Sequence, residues 1–120
     1  MRSVNLTKET FNDTVVNNDM VIIDWWAEWC PPCKSFAPVY DAAAKAHPDI
    51  VFGKIDTEAE PELSAGASIS SIPTIMAFRE GILVFRQSGA LPAPAVEELI
   101  SRLRTLDMDE LRRVASGRKF

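Results

Sequence analysis

The strongest apolar run in the chain is MVIIDWW, residues 20–26, where β-branched and aromatic residues are interrupted only by Asp24. A run without polar alternation predicts a strand buried on both faces. Upstream, Val4–Leu6 reads as a short strand, and Thr7 is placed to cap a helix over Lys8–Val16 whose Phe11 and Val15 share a face. Downstream, Pro31 and Pro32 suit the first turn of a helix, where missing N–H groups cost least. Phe36, Tyr40, Ala43 and Ala44 continue it at helical spacing to about Ala46, with a kink expected at Pro38. IVFGKID (50–56) predicts the next strand and Pro61–Ala65 a short helix. TIMAF (74–78) and ILVFRQS (82–88), joined through REG, predict a hairpin, and Ala93–Leu106 a helix presenting Val96, Leu99, Ile100 and Leu103 together.

The order βαβαβαββα describes an α/β domain: a mixed central sheet, parallel at first and closed by an antiparallel hairpin, flanked by helices. Residues 1–106 form that domain. Residues 107–120 are a C-terminal extension, expected to add a short helix and a frayed basic end. From residue 101 onward six Lys/Arg stand against three Asp/Glu, which reads first as a solvated appendage and second as a docking element.

Composition agrees. A chain of 120 residues can bury one core, and 47% apolar with 25% charged residues is the balance of a soluble globular protein. A formal charge of −4 argues against nucleic acid as a partner. MRSVNLTKETF has neither the apolar stretch nor the cleavage site of a signal peptide, and no run approaches the length of a membrane span. The expected compartment is the cytoplasm, where a structural disulfide rarely persists.

That matters because Cys30 and Cys33, in WWAEWCPPCK, are the only cysteines. With two Cys and one His, His47, a structural zinc site lacks ligands, and His47 reads as a surface residue near a helix end. A redox pair explains more. Cys30 follows the strand and sits at the helix mouth, where the positive end of the dipole and the Cys33 amide favour a thiolate. Cys33, one turn inside, is expected to be the less exposed, within reach to resolve a mixed disulfide. Asp24, buried by its neighbours, should hold its proton unusually well and is suited to move a proton onto or off Cys33. The bland alternative is a structural Asp meeting a donor. Trp25 and Phe78 read as core, whereas Trp26 and Trp29 divide evenly between packing and contact surface.

These residues, together with Lys34, Pro38, GKID, SIPT at 71–74 and GA at 89–90, resemble the thioredoxin family over roughly residues 3–105. The resemblance implies the thioredoxin fold and protein-disulfide reduction without a bound cofactor, through a redox-active Cys30–Cys33 disulfide. It implies Cys30 as nucleophile, Cys33 as resolving thiol, Asp24 as buried acid and Lys54 as its partner. Pro73 matches the family's cis-proline, and the Ile72 backbone would pair with an extended client peptide. Trp29, Ile72, Pro73, Gly89 and Ala90 would line the docking surface, and Trp29, Pro31 and Pro32 would tune the couple. Pro31 departs from the family, most of whose members have glycine there; Trp25 and Ser70 also differ from common choices.

The implied partners are disulfide-bearing client proteins and an NADPH-dependent thioredoxin reductase, with no nucleic acid or membrane and the chain acting as a monomer. Two other functions stay open: a disulfide oxidase or isomerase using the same chemistry in reverse, and a redox-independent binding scaffold.

Overall fold

A strand with no polar face must be covered on both sides, and Met20–Trp26 is: its first six residues are buried and only Trp26 is half-exposed. The computed structural model describes residues 3–117. Its elements are β1 (Val4–Asn5), α1 (Phe11–Asn17), β2 (Met20–Trp26), α2 (Pro31–Ala46) and β3 (Val51–Asp56), followed by α3 (Pro61–Gly66), β4 (Thr74–Arg79), β5 (Ile82–Ser88), α4 (Ala93–Arg104) and α5 (Met108–Gly117). The sheet order is β1-β3-β2-β4-β5. β3 pairs in parallel with β1 and β2, while β4 runs antiparallel to both β2 and β5. The mixed α/β sheet expected from the pattern is therefore the one observed, with β2 at its centre.

Alternation along the strands sorts the core into two layers. Ile22, Phe52, Ile75 and Ala77 pack under Phe36 and Tyr40 of α2 and Val96, Leu99, Ile100 and Leu103 of α4. Val21, Ile23, Trp25, Ile55, Met76 and Phe78 form the opposite layer with Leu6 and Val15, edged by Phe11 and Leu63. Trp25 and Phe78 are thus core residues, as expected, and the Phe11 ring lies 6.1 Å from Trp25 and 6.0 Å from Phe78.

Two helix boundaries differ from those the pattern predicts. α1 begins at Phe11, not Lys8, and Thr7 is not its cap. The Thr7 amide donates to Thr10 Oγ1 (2.9 Å) and the Phe11 amide to the Thr7 carbonyl (2.9 Å), which makes 7–10 a turn. Lys8 is drawn toward α3 instead, its amide donating to Glu60 Oε1 (2.7 Å) and its ammonium to Glu62 (2.9 Å). At the other end α4 stops at Arg104, two residues short of Leu106. Arg79 Nη1 donates to the Leu103 carbonyl (2.6 Å) and its Nε to Asp19 (3.0 Å), so one guanidinium caps α4 and ties it to the start of β2.

The extension folds onto this end. α5 runs for 10 residues, Met108 is buried, and Leu106 packs on the layer beneath α4. Arg112 pairs with Glu80 in the hairpin turn and with Asp109, and Arg113 with Glu110. The arginines expected to make a basic tail are thus engaged in ion pairs; Arg118 and Lys119 lie outside the described residues. Among the described residues no helix is long and apolar enough to cross a membrane.

What fixes α2 over the sheet is Tyr40. Its buried hydroxyl lies 2.9 Å from the Ile22 carbonyl and 2.7 Å from the Gly53 carbonyl, donating its one proton to either strand. Gly53 itself has no room for a side chain, since a Cβ would meet Leu6 Cδ1 at 2.6 Å. Tyr40→Phe should therefore lower unfolding free energy by about 1–2 kcal/mol, the cost of one buried hydrogen bond, seen as a reduced urea midpoint.

Candidate functional site

The site forms where β2 hands the chain to α2. The Trp26 carbonyl accepts from the Thr57 amide (2.9 Å) and hydroxyl (3.1 Å), which pins the end of β2 to the turn after β3. The next segment folds back so that the Cys30 amide donates to the Ala27 carbonyl at 3.2 Å. Cys30 then takes the extended N-cap conformation of α2 (φ −93°, ψ 107°), and its sulfur accepts from the Cys33 amide at 3.3 Å. Pro31 and Pro32 occupy the first two helical positions and have no N–H to offer. Cys33 therefore supplies the first amide of the helix, and it is spent on the Cys30 sulfur. Both cysteines are free thiols, and Cys30 Sγ lies 3.8 Å from the Ile72 carbonyl.

Exposure does not separate the two sulfurs. Cys30 is 2% and Cys33 3% accessible, so the expectation of an exposed outer thiol above a more buried one is corrected: Ala27, Trp26 and Ile72 pack around both. What separates them is the cleft. Cys30 lines an open groove of about 630 Å³ together with Trp29, Pro31, Pro32 and Ile72, and Cys33 does not. Burial, the hydrogen bond to Cys30 and the negative charges of Cys30 and Asp24 push the Cys33 thiol up to about 12, against a smaller opposing pull from the Ala27 backbone.

Asp24 points into the same layer as α2. It is 1% accessible, and among the described residues neither carboxylate oxygen has a hydrogen-bond partner. Burial pushes its pKa up to about 7; Lys54 pulls it down and Asp41 adds to the rise. Among the described residues no side-chain or backbone donor reaches Asp24. Lys54 stands opposite Asp24 in the β2–β3 register, yet its ammonium rests over the Trp26 indole, 4.9 Å from the ring centroid. Lys54 acts on Asp24 through its field, without a hydrogen bond.

The second wall comes from the loop before β4. The Ile72–Pro73 peptide is cis and Pro73 is buried, while Ile72 is half-buried beside the cysteines. Gly89, at φ +101°, donates its amide to the Pro73 carbonyl at 2.7 Å, which brings the exposed Gly89–Ala90 corner beside Pro73. A positive φ at this corner is the conformation glycine tolerates. Trp29 is 65% exposed, a contact surface, whereas Trp26 is half-buried against Lys54. Pro31 and Pro32 are exposed at the groove's lip.

The structure thus gathers Trp29, Cys30, Pro31, Pro32 and Ile72 at one groove, Cys33, Asp24 and Lys54 behind it, and Pro73, Gly89 and Ala90 beside it. Sequence reasoning missed Thr57, Glu58 and Ser64 on the groove's far wall, because these are ordinary turn and helix residues with no spacing signal, and it noted Ser70 and Ser71 without placing them there. His47 lies at the other end of α2, half-buried, with Nε2 2.9 Å from Glu97 and Nδ1 accepting from Arg104 at 3.0 Å. Among the described residues, no cluster of three His, Cys, Asp or Glu is placed to hold a metal ion.

Comparison with known proteins agrees with this geometry. The family model described as Thioredoxin matches residues 2–102. A Streptomyces coelicolor protein named as a thioredoxin is 57% identical over 114 residues, covering 95% of this chain and 85% of its own. Among solved structures, a Plasmodium falciparum thioredoxin superposes with a TM-score of 0.77 at 32% identity, covering 83% of this chain and 97% of its own. A mutant thioredoxin from Halobacterium salinarum superposes at 0.81 with 26% identity, over 88% and 93%.

The burial of Asp24 has a measurable consequence. Its folded pKa of about 7 lies above the ordinary 3.8, so the folded state binds the proton more tightly. Stability must then fall as pH rises from about 4 to about 7 and level off above, where both states are ionised. Asp24→Asn removes the charge to be buried. It should stabilise the protein at pH 8 by about 2–4 kcal/mol, with the advantage shrinking toward pH 4, as read by urea unfolding across that range.

Proposed function

The chain belongs to the thioredoxin family and is a protein-disulfide oxidoreductase, and from that premise we propose that Cys30 and Cys33 carry its reductase chemistry in distinct roles. The observation that carries this reading is the Cys30 sulfur, held by the Cys33 amide at the mouth of α2 and facing an open groove.

The Cys30 thiolate attacks one sulfur of a client disulfide. That S–S bond breaks, a Cys30–client disulfide forms, and the first client sulfur leaves as a thiolate that takes up a proton. Cys33 then gives up its own proton and attacks Cys30 Sγ. The mixed disulfide breaks, the second client sulfur departs, and the chain is left with a Cys30–Cys33 disulfide. Two electrons have passed to the client. Asp24, ionising near neutrality behind a thiol pushed to about 12, is the group suited to receive the Cys33 proton, and Lys54 biases it toward its charged form. An NADPH-dependent thioredoxin reductase restores the dithiol. The clients lay an extended segment across Trp29 and the Ile72 backbone, bounded by Pro73 and the Gly89–Ala90 corner. We assign the reaction to a cytoplasmic monomer, carried by residues 1–106 without help from the extension.

The oxidase reading requires a strongly stabilised Cys30 thiolate, since oxidising power comes from a stable reduced form. Here the first helical turn offers that sulfur one amide, because two of its residues are prolines. This favours a reducing couple, near the thioredoxin potential of about −270 mV or lower.

Insulin reduction with dithiothreitol is the direct test: the wild type should accelerate it, and Cys30→Ser should not exceed background. Cys33→Ser should accumulate client proteins covalently on Cys30, visible as adducts released by reductant. Pro31→Gly restores an N–H beside Cys30 and should move the glutathione midpoint to a more positive value by about 10–30 mV, where about 30 mV corresponds to 1.4 kcal/mol. A shift to a more negative value would mean that the backbone constraint of Pro31 outweighs the missing donor.

A further inference from the structure

The groove that reaches Cys30 is not chemically neutral at its far wall. The turn after β3 contributes Thr57 and Glu58, α3 contributes Ser64, and the loop before β4 contributes Ser70 and Ser71. These are hydroxyl-bearing residues with a single carboxylate among them. Of the described residues that line the groove, Glu58 is the only charged one.

Its neighbours' charges are engaged elsewhere. Asp56 turns back to accept from the Glu58 amide (2.9 Å) and the Ala59 amide (3.3 Å), which fixes the turn and leaves the Glu58 side chain outward. Glu60 accepts from the Lys8 amide, and Glu28, which does not line the groove, faces Lys34 at 3.7 Å. Glu58 is exposed, and among the described residues its carboxylate has neither an ion-pair nor a hydrogen-bond partner. A carboxylate in a groove walled by apolar residues on one side and hydroxyls on the other discriminates between charges on whatever enters.

We propose that Glu58 is a specificity-determining residue, selecting client segments that carry a lysine or arginine close to the disulfide cysteine. This rests on the reductase reading above and names the class of client it prefers. The serines supply neutral hydrogen-bond partners for the client backbone, and Glu58 supplies the one charge that distinguishes one client from another. The same carboxylate disfavours acidic flanks.

The test uses the pre-reduced full chain and two peptides of equal length with one intramolecular disulfide, differing only in whether lysine or glutamate flanks each cysteine. At low salt the wild type should reduce the lysine peptide about two- to fivefold faster, the scale of one solvent-exposed charge pair, and 0.5 M salt should bring the ratio toward unity. Glu58→Gln should bring it close to unity at low salt, and Glu58→Lys should invert it. Glu62→Lys makes the same change in net charge outside the groove, where Glu62 pairs with Lys8, and should keep the wild-type ratio. A wild-type ratio in Glu58→Lys, or an equal shift in Glu62→Lys, overturns the proposal while leaving reduction itself intact. Failure of the wild type to reduce either peptide overturns the reductase reading and this inference with it.

Discussion

The hydrogen bond from the Cys33 amide to the Cys30 sulfur forms only because the chain leaves the sheet at one point and enters a helix four residues later. β2 is paired on both sides from Val21 to Trp25, and its last residue, Trp26, stays in register with Asp56 of β3. Thr57 holds the Trp26 carbonyl with two hydrogen bonds, and Tyr40 holds α2 against the same strand and its neighbour. The sulfur is thus placed by a strand end and a helix start that are each fastened independently of it.

The cost of this arrangement is concentrated at Asp24. A carboxyl with no hydrogen-bond partner among the described residues sits in the central strand beneath the helix that carries the thiols. Lys54, directly opposite in register, stops short of bonding to it and lies on the Trp26 indole. A direct bond to the ammonium would hold Asp24 ionised and make it a poor acceptor for a thiol proton. A purely apolar cavity would keep it protonated at all neutral pH values. The intermediate placement leaves it titrating near pH 7, where it can gain and lose a proton.

Elsewhere the fold spends its polar groups on keeping helix ends in place, away from the chemistry. Arg79 joins Asp19 to the end of α4, Arg104 joins Asp49 and His47 at the end of α2, and Arg112 joins α5 to the hairpin turn. These ties do not involve the groove that reaches Cys30, whose one charged lining residue among those described is Glu58.

Much of the architecture was legible in the chain because it rests on local signals. MVIIDWW read as a strand buried on both faces, Pro31 and Pro32 as the opening of a helix, and the two extended runs around REG as a hairpin. The cysteine spacing and the helix mouth followed from the same residues. The boundaries at Phe11 and Arg104 did not, because contacts distant in sequence decide them: Lys8 with Glu60, and Arg79 with Leu103. The extra C-terminal helix was legible, but its ties were not, because Arg112 and Arg113 meet acids that charge counting does not locate. Sequence alone determined which atoms are chemically capable, since reactivity is a property of residue type and of the first helical turn. Only the tertiary structure decided how they are used: that both thiols are buried, that a groove opens to one of them, that Lys54 rests on Trp26, and that Glu58 stands in the groove. Each of these is set by packing between segments far apart in the chain, and no local pattern encodes it.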